Sequence, residues 1–518
     1  MGDKKFQTTI TVFSGNFEVS FLPDIERIKF SFLIQFLFLE TKKLVSKYVS
    51  LILLTICFSC QRYNDEPPNI IFILTDDLGY GDLGIYGADD IKTPNINQLA
   101  EEGAFLTSYY VSQPVCSASR ASILTGCYAN RIGIHQALGP NSEIGIHPNE
   151  ELLPELFKEQ GYATAIFGKW HLGDDPMFMP RKHGFDEFYG LLYSNDMWPY
   201  HPQDEFPPLY LYGNETPLKE LHDQTYLTDS ITRKSIDFIK RNKDYPFFLY
   251  ISHPQPHVPL FAHPDFLGSQ SRGLYGDVIH EIDHSVGRIL QTLQENNLQN
   301  RTMIIFTSDN GPWLSYGTHS GSSGIYREGK GTVWEGGVRV PSVIWYPKHI
   351  PPNQQIESSM MAIDWLPTIL DYTQGRQPHL KIDGESFKGV FSGNRQISKH
   401  ENLFFYYGQN ELQAIRHRHW KAYFPHTYRT IANKKVRDDG IPIRYENIQL
   451  NEIELYNLLD DPQEKTNVAS IYPRVIQKIE RIADSIRDVL GDRLMGKKGS
   501  ENREPGRVSD EDDSIIHD

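Results

Sequence analysis

Two side chains four residues apart, Cys116 and Arg120, have the types and spacing to support nucleophilic chemistry. They belong to the segment Pro114-Val-Cys-Ser-Ala-Ser-Arg-Ala-Ser-Ile-Leu-Thr-Gly126, which predicts a helix that begins near the cysteine. A helix N-terminus and an arginine charge both favour a thiolate, so the pattern predicts a lowered pKa for the Cys116 thiol. By itself the segment therefore suggests a cysteine hydrolase, with a buried structural cysteine as the alternative.

Carboxylate and amide side chains follow two apolar segments of strand length, residues 69–75 and 301–307. Continuous apolar runs are typical of parallel strands buried on both faces, and ligands bind at the C-terminal edge of such sheets. The candidate metal ligands at this edge are Asp76, Asp77, Asp309 and Asn310. Oxygen ligands suit Ca²⁺ better than zinc, with Mg²⁺ as the lesser option. Without a cation the carboxylates would repel one another, so the alternative is that they are unrelated loop residues lying apart.

Three segments of the chain resemble signatures of one enzyme family. Residues 114–126 resemble the formylglycine signature of the type I sulfatases, arylsulfatase-like members of the alkaline-phosphatase superfamily, with Ala118 as an accepted variant of the usual proline. Residues 161–173 resemble a second diagnostic segment, and residues 329–341 resemble the segment that presents a sulfate-binding lysine. The resemblance covers residues 69–461 and implies a sulfuric ester hydrolase.

The resemblance also implies a mechanism. A maturation enzyme would oxidise Cys116 to formylglycine, and Cys116 would then join the four oxygen ligands around one Ca²⁺. One hydroxyl of the hydrated aldehyde would attack sulfur to form a formylglycine sulfate intermediate, and the second would expel sulfate by collapse to the aldehyde. The implied roles are orientation of the nucleophile by Arg120 and Lys169, sulfate binding by Lys330, base catalysis by His171, and acid catalysis by His257, aided by Lys330.

Substrate choice is weakly encoded in the sequence. The loop residues that could line sugar subsites are Asn195, Asp196, Trp198, His201 and His319. A sulfated polysaccharide or oligosaccharide is the expected partner, and on ecological grounds an algal glycan is favoured over a glycosaminoglycan. Two alternatives are a phosphatase or phosphonate monoester hydrolase of the same superfamily, and a lipid-anchored glycan-binding protein without catalysis.

Net charge restricts the other partners of the 518-residue chain. Lys and Arg number 51 against 66 Asp and Glu, which gives a formal net charge of −15. Nucleic-acid binding needs a basic field, so this balance argues against it. A polyanionic substrate must therefore meet a local group of cations.

The N-terminal residues resemble a targeting segment. Three lysines between residues 42 and 47 precede an apolar run over residues 49–58, which is short for a membrane span but suits a signal peptide. Ser59 and Cys60 resemble a bacterial lipoprotein cleavage site, which implies a lipid such as palmitate on Cys60 and export to the periplasm or outer membrane of a Gram-negative bacterium. An uncleaved anchor helix is the alternative, and residues 1–40 suggest a misassigned start codon.

Cysteine usage offers a check on this interpretation. The four cysteines are Cys57, Cys60, Cys116 and Cys127. In an exported protein an even number favours disulfides, so a bridge between Cys116 and Cys127 is the structural alternative. If Cys57 is removed, Cys60 lipidated and Cys116 converted, Cys127 has no disulfide partner.

Alternation of strands and helices predicts the fold class. Further strand-like runs over residues 162–167 and 246–251 also end in polar residues, and residues 230–242 and 275–296 are helical in pattern. We expect an α/β catalytic domain over residues 69–395 after the 1–59 targeting segment, with a large mixed, mostly parallel sheet flanked by helices.

A change of pattern near residue 400 predicts a second, smaller unit. Short strand-like runs followed by a closing helix indicate a C-terminal α+β subdomain with an antiparallel sheet over residues 396–492. The polar tail over residues 496–518 has few apolar residues, so we expect it to be disordered.

Overall fold

The computed structural model describes residues 67–393, 400–432 and 434–508, with short stretches between residues 8 and 47. The chain divides into two compact units, residues 1–66 and residues 67–518. In the first unit, Thr8–Val12 (β1) pairs antiparallel with Gly15–Val19 (β2). None of the helices formed by described residues combines the length and apolar character needed to cross a membrane. The predicted signal run, Cys57 and the lipidation site Cys60 lie outside the described residues.

The second unit contains a ten-stranded sheet and several smaller ones. Its strands are Asn69–Thr75 (β3), Ala104–Leu106 (β4), Tyr109–Tyr110 (β5), Ile144–Gly145 (β6), Ala163–Lys169 (β7), Glu187–Leu191 (β8), Tyr210–Gly213 (β9), Thr216–Glu220 (β10), Phe247–Ser252 (β11), Thr302–Ser308 (β12), Ser342–Trp345 (β13), Gln354–Ile356 (β14), Met360–Met361 (β15), Asn402–Tyr407 (β16), Glu411–His417 (β17), Trp420–Tyr423 (β18), His426–Thr430 (β19), Glu446–Leu450 (β20), Glu454–Asn457 (β21) and Gly506–Arg507 (β22). Its helices are Pro94–Glu101 (α1), Cys116–Thr125 (α2), Leu153–Glu159 (α3), Leu227–Arg241 (α4), Leu274–Glu295 (α5), Glu335–Val338 (α6), Trp365–Thr373 (α7), Lys388–Phe391 (α8) and Pro473–Leu490 (α9).

The large sheet is mixed and mostly parallel, as predicted. Its strand order is β10-β9-β8-β7-β11-β3-β12-β13-β4-β14. The five neighbouring strands β8, β7, β11, β3 and β12 are mutually parallel. Every residue of β3, β11 and β12 is buried, which explains why their sequences are continuously apolar rather than alternating. Polar residues that follow these strands therefore emerge together at one edge of the sheet.

An antiparallel sheet in the C-terminal part of the chain also confirms the predicted subdomain. The strands β16, β17, β18 and β21 are adjacent in that order, and each pair is antiparallel. Helix α9 packs against β17 and β18. It buries Ile479, Ala483 and Leu490, which lie on one face at helical spacing. A separate antiparallel pair, β19 and β20, extends from this subdomain.

Residues 496–508 differ from the predicted disordered tail. Strand β22 pairs antiparallel with β6, and Arg503 donates to both carboxylate oxygens of Glu150 at 2.6 and 2.8 Å. Glu501 accepts from Arg131 at 3.0 Å. The prediction of disorder is therefore wrong for residues 496–508, because ion pairs with the catalytic domain replace the apolar contacts that the tail lacks. Residues 509–518 lie outside the described part of the chain.

Candidate active site

The register of two central strands brings the predicted carboxylates together. Thr75 at the end of β3 is paired with Ser308 at the end of β12, so the residues that follow both strands start side by side. The backbone N–H of Asp77 donates to Asp309 Oδ1 at 3.2 Å. Asn310 Nδ2 donates to Asp77 Oδ1 at 2.7 Å. The four predicted ligands therefore form one cluster rather than four separate loop residues.

Cys116 is the first residue of α2 and points into this cluster. Its Sγ lies 3.3 Å from Asp76 Oδ1, and only 1% of the residue is exposed. Burial, reinforced by the negative charge of Asp76, raises the pKa of the thiol well above its usual value. The predicted lowered pKa is therefore wrong, and the thiol itself is a poor nucleophile. Cys116 and Cys127 are both free thiols, so the disulfide alternative is also wrong.

Arg120, one turn further along α2, is held among carboxylates rather than beside the thiol. Its Nη2 lies 2.8 Å from Asp309 Oδ2 and 3.3 Å from Asp76 Oδ2, and its Nε donates to Asp309 Oδ2 at 3.0 Å. Its Nη1 donates to the Lys169 carbonyl at 2.9 Å and to Ser252 Oγ at 2.6 Å. Because the guanidinium donates to these acceptors, it holds the carboxylates of Asp76 and Asp309 in place and does not stabilise a thiolate at Cys116.

Lys169 ends β7 and forms a buried ion pair with Asp76. Its Nζ also donates to Ser194 Oγ at 3.0 Å. Burial opposes ionisation of Asp76, but the charges of Lys169, His257, Arg120 and Lys330 outweigh it and hold the pKa of Asp76 well below its usual value. Burial and the Asp76 charge instead raise the pKa of Asp309 to about 6. Asp76 is therefore the carboxylate on which the cations of the site converge.

Lys330 and His257 approach the cluster through Asp77. Lys330 Nζ lies 2.7 Å from Asp77 Oδ1 and 2.9 Å from Oδ2, and His257 Nε2 lies 3.5 Å from Oδ2. Burial alone would lower the pKa of Lys330, but Asp77 and its neighbours raise it well above the usual value, so the ammonium stays protonated. The indole ring of Trp313 lies 4.6 Å from Lys330 Nζ.

His171 follows Lys169 in the chain and is held by a backbone carbonyl. Its Nε2 lies 2.8 Å from the Leu138 carbonyl, whereas its Nδ1 has no hydrogen-bond partner among the residues that the structure describes. Burial, followed by the charges of Lys169 and Arg120, lowers its pKa well below the usual value. The ring is therefore neutral at physiological pH, donates through Nε2, and keeps Nδ1 as a free acceptor.

The cluster can hold a divalent cation. One ligand atom each from Asp76, Asp77, Cys116 and His257 lies within 4.8 Å of the others. Within the described part of the chain, the buried Oδ1 of Asn310 has no hydrogen-bond partner, so it is an open acceptor at the same place. The carboxylate and amide oxygens fit a hard cation, whereas the Cys116 thiol and the His257 imidazole are softer donors. Sequence reasoning assigned His257 only as an acid and missed its position within the metal-binding group.

Formal charges explain what a bound cation would add. The carboxylates Asp76, Asp77 and Asp309 face the cations Arg120, Lys169 and Lys330, so the two sets balance. A divalent cation among them would leave two positive charges in a buried place where charge is poorly screened. Such a site favours a ligand with two negative charges or a group that develops them during reaction.

The structure places the predicted sugar-subsite residues in different surroundings. Asn195 is fully buried, and its Nδ2 donates to Gln224 Oε1 at 3.2 Å and to the His257 carbonyl at 3.5 Å, so it supports His257 rather than facing a substrate. His319 lines a small pocket that reaches Asp77 and is bordered by Trp313. Asp196 and His201 approach each other to 4.0 Å.

Two serines belong to the site without having been predicted. Ser194 binds the ammonium of Lys169, and Ser252 binds the guanidinium of Arg120. Ser252 is the last residue of β11. That position could have identified it, because Lys169 is likewise the last residue of β7 and Asp76 directly follows β3. Ser194 sits beyond the end of β8 and has no comparable signal.

The fold and the site define a class of hydrolase, and sequence comparison gives it a family. The chain matches the family described as Sulfatase over residues 68–375, and the family described as N-sulphoglucosamine sulphohydrolase, C-terminal, over residues 324–489. It is 39% identical over 378 residues to the N-acetylgalactosamine-6-sulfatase of Sus scrofa, a match that covers 69% of this chain and 72% of the relative. The chain therefore belongs to the sulfatase family, and its activity is that of a sulfuric ester hydrolase.

Solved structures agree with this assignment. Ps i-CgsB in complex with k-i-k-neocarrahexaose superposes with a TM-score of 0.69 at 28% identity, over 87% of this chain and 96% of that one. The PsFucS1 sulfatase from Pseudoalteromonas sp. superposes with a TM-score of 0.72 at 26% identity, over 82% and 91% of the respective chains. The solved relatives thus include a sulfatase and a protein bound to a carbohydrate, and the non-catalytic binding alternative is not supported.

Proposed function

We propose that this sulfatase uses a formylglycine made from Cys116 by a maturation enzyme, together with one Ca²⁺ per chain, to hydrolyse sulfate esters of a glycan. The observation that carries the proposal is the position of Cys116 Sγ, 3.3 Å from Asp76, inside the group of residues that can bind a metal. A thiol whose pKa is raised by burial is unreactive, so conversion of the side chain accounts for a nucleophile at this point.

Formylglycine supplies a hydrated aldehyde whose hydroxyl is the nucleophile, and Ca²⁺ supplies positive charge that lowers the cost of ionising it. Lys169 and Arg120 hold Asp76 and Asp309 as fixed ligands in a site without bulk water. Lys330 is placed to bind sulfate oxygens, because its protonated Nζ already contacts the metal-binding Asp77. These residues do not need to reorganise when charge develops, which is the condition for electrostatic catalysis.

Proton transfer is assigned to the two histidines. His257 Nδ1 is engaged with the Val258 carbonyl at 2.6 Å, which leaves Nε2 directed at Asp77. We assign this nitrogen to protonate the leaving alcohol oxygen rather than to bind the metal. His171 is neutral and has a free Nδ1, so it can accept the proton lost when the second hydroxyl at position 116 releases sulfate.

The proposed substrate is a sulfated algal polysaccharide or oligosaccharide rather than a glycosaminoglycan. The structural relative bound to a neocarrahexaose supports the algal choice, whereas the name of the N-acetylgalactosamine-6-sulfatase of Sus scrofa supports the other. Release of sulfate from neocarrahexaose, compared with release from N-acetylgalactosamine 6-sulfate under equal conditions, separates the two. Higher kcat/KM on the N-acetylgalactosamine ester would reject the algal proposal.

Phosphate ester hydrolysis is the rival activity within the superfamily. The described residues contain one group able to hold a metal, and that group includes a cysteine, which favours sulfate. The test compares hydrolysis of para-nitrophenyl sulfate and para-nitrophenyl phosphate by protein co-expressed with a maturation enzyme, with Cys116→Ala as the control. We expect a large preference for the sulfate that disappears in the variant. A preference for the phosphate would overturn the proposal.

Export and lipid anchoring at Cys60 complete the proposal. Labelling of growing Gram-negative cells with a clickable palmitate analogue should mark the wild-type protein and not a Cys60→Ala variant. Fractionation should then place the wild type with the membranes and the variant in the soluble periplasm. Equal labelling of both proteins would reject lipidation at this residue.

A further inference from the structure

Lys330 is held by its backbone from three directions. Its own N–H donates to the Pro312 carbonyl at 2.9 Å, and the N–H of Gly331 donates to the Pro114 carbonyl at 2.9 Å. Pro312 lies two residues after the metal-binding Asn310, and Pro114 lies two residues before Cys116. The third contact comes from the C-terminal subdomain and has no counterpart in the predicted set of site residues.

This third contact is made by Arg429 on β19. Its Nε and Nη2 donate to the Lys330 carbonyl at 3.1 and 2.6 Å, so the two ends of the guanidinium grip one oxygen. The guanidinium lies 4.5 Å from the ring centre of Tyr445, which fixes its plane. Stacking and paired donation are properties of arginine that lysine cannot reproduce in full.

The backbone around Lys330 is shaped to accept this guanidinium. Gly331 has φ of +77°, and a Cβ built on it would lie 2.4 Å from Arg429 Cζ. The neighbouring Thr430 Oγ1 donates to Glu328 Oε1 at 2.8 Å, so β19 makes a second contact with the segment that carries Lys330. Glycine at position 331 therefore serves the approach of Arg429 as well as the turn itself.

The position of the Lys330 backbone is important because Nζ, the atom that would bind sulfate, is at the end of a flexible side chain. Its Nζ must reach the oxygens of Asp77, at 2.7 and 2.9 Å, and the sulfate at the same time. A displacement of about 1 Å of a group that binds the reacting centre lowers the rate on the order of a hundredfold.

We propose that Arg429 is a positioning residue for Lys330, and that the C-terminal subdomain is thereby part of the active site. The proposal rests on the sulfate-binding role given to Lys330 under the proposed function. Arg429 does not touch the reacting atoms, and it acts by fixing the peptide plane from which the lysine side chain starts.

The test compares Arg429→Ala, Arg429→Lys and Lys330→Ala in the metal-loaded, matured enzyme. The readouts are kcat and KM on aryl sulfates whose leaving alcohols differ in pKa. For Arg429→Ala we expect kcat to fall about ten- to a hundredfold, most for the poorest leaving groups, with the same trend as Lys330→Ala. Arg429→Lys should recover part of the loss, since one hydrogen bond to the carbonyl can be restored.

Arg416→Ala is the matched control for general damage to the subdomain. Arg416 also reaches from the subdomain into the catalytic domain, where its Nη1 donates to Tyr110 Oη at 2.6 Å, but it has no contact with Lys330 in the described structure. It should lower the melting temperature without changing the dependence on the leaving group. An equal kinetic defect in Arg416→Ala and Arg429→Ala would overturn the positioning role.

The outcomes separate this proposal from the one it depends on. Activity of Arg429→Ala within twofold of wild type, together with an inactive Lys330→Ala variant, would overturn the positioning role and leave the proposed function intact. Full activity of Lys330→Ala would instead overturn the sulfate-binding role, and the positioning proposal with it.

Discussion

Replacement of Arg120 by methionine tests how strongly the buried carboxylates depend on their cations. Methionine keeps much of the side-chain volume but removes the charge that contacts Asp76 and Asp309, as well as the donors to the Lys169 carbonyl and Ser252. Removal of one partner from a buried ion pair costs about 3–5 kcal/mol, because the remaining charge has lost its compensation. In a folded unit of this length, each kcal/mol lowers Tm by about 1–2 °C. A decrease of roughly 3–10 °C is therefore expected in the metal-free protein.

Calcium should reduce this decrease. In the metal-free site the cations and carboxylates balance, so loss of Arg120 leaves a negative charge without compensation, whereas a bound Ca²⁺ would supply it. Scanning fluorimetry with excess Ca²⁺ or EDTA measures both values of Tm. With Ca²⁺ present, kcat/KM on para-nitrophenyl sulfate should fall at least about a hundredfold. Equal decreases in Tm with and without Ca²⁺ would refute the placement of the metal among these carboxylates.

Arg131 provides the control for this experiment. It is as buried as Arg120, but its ion-pair partners are Asp383 at 2.6 Å and Glu501 at 3.0 Å, neither of which is a predicted metal ligand. Arg131→Met should lower Tm by a similar amount, but the decrease should not depend on Ca²⁺. The variant should also keep its kcat/KM at a temperature where it is folded.

Three further predictions concern pH, the contacts of residues 496–508 and the metal. Burial raises the pKa of Glu281 from 4.5 to about 7, so the stability that depends on its protonated form is complete below pH 4.5 and is lost as pH rises through 7. The Tm of Glu281→Gln should therefore exceed that of wild type by more at pH 8.5 than at pH 5.5, and an equal difference at both pH values would contradict the raised pKa. In a Cys116→Ala background, Arg503→Ala should speed the reaction of Cys127 with a thiol reagent, because Arg503 Nη2 lies 3.3 Å from the Cys127 Sγ. An unchanged rate would contradict the packing of residues 496–508 against Cys127. EDTA should abolish sulfatase activity, and Ca²⁺ should restore it more fully than Mg²⁺ at equal concentration, whereas better recovery with Mg²⁺ would contradict the metal assignment.

Much of the metal cluster could be predicted because it depends on strand ends. The apolar runs that became β3 and β12 are buried on both faces, and parallel neighbours deliver their following residues to one edge. Sequence alone therefore located Asp76, Asp77, Asp309 and Asn310 as neighbours. Lys169 followed the same rule at the end of β7.

Other features depend on where side chains point and could not be read from the sequence. The spacing of Cys116 and Arg120 suggested a reactive thiol. Arg120 instead pairs with Asp76 and Asp309, and burial is the main cause of the raised pKa of the Cys116 thiol. Asn195 has a polar loop context but faces inward to His257. Local sequence does not encode these directions, because they follow from packing between elements.

Contacts across long stretches of chain were the hardest to predict. Arg429 grips the carbonyl of Lys330 from 99 positions away, and no pattern near either residue indicates the other. The tail residue Arg503 pairs with Glu150 over a still longer separation. Composition alone predicted that this tail is disordered. Polar composition predicts disorder only where no charged partner is available, and here the catalytic domain supplies one.

Covalent trapping at position 116 tests the central claim most directly. A Cys116→Ser variant keeps a hydroxyl beside Asp76 but has no second hydroxyl with which to release sulfate. Incubated with para-nitrophenyl sulfate and Ca²⁺, it should release one equivalent of nitrophenol per chain, stop, and carry a sulfate ester on the peptide that contains position 116. Continued turnover by this variant, or a single equivalent released with the ester on a different residue, would contradict the account.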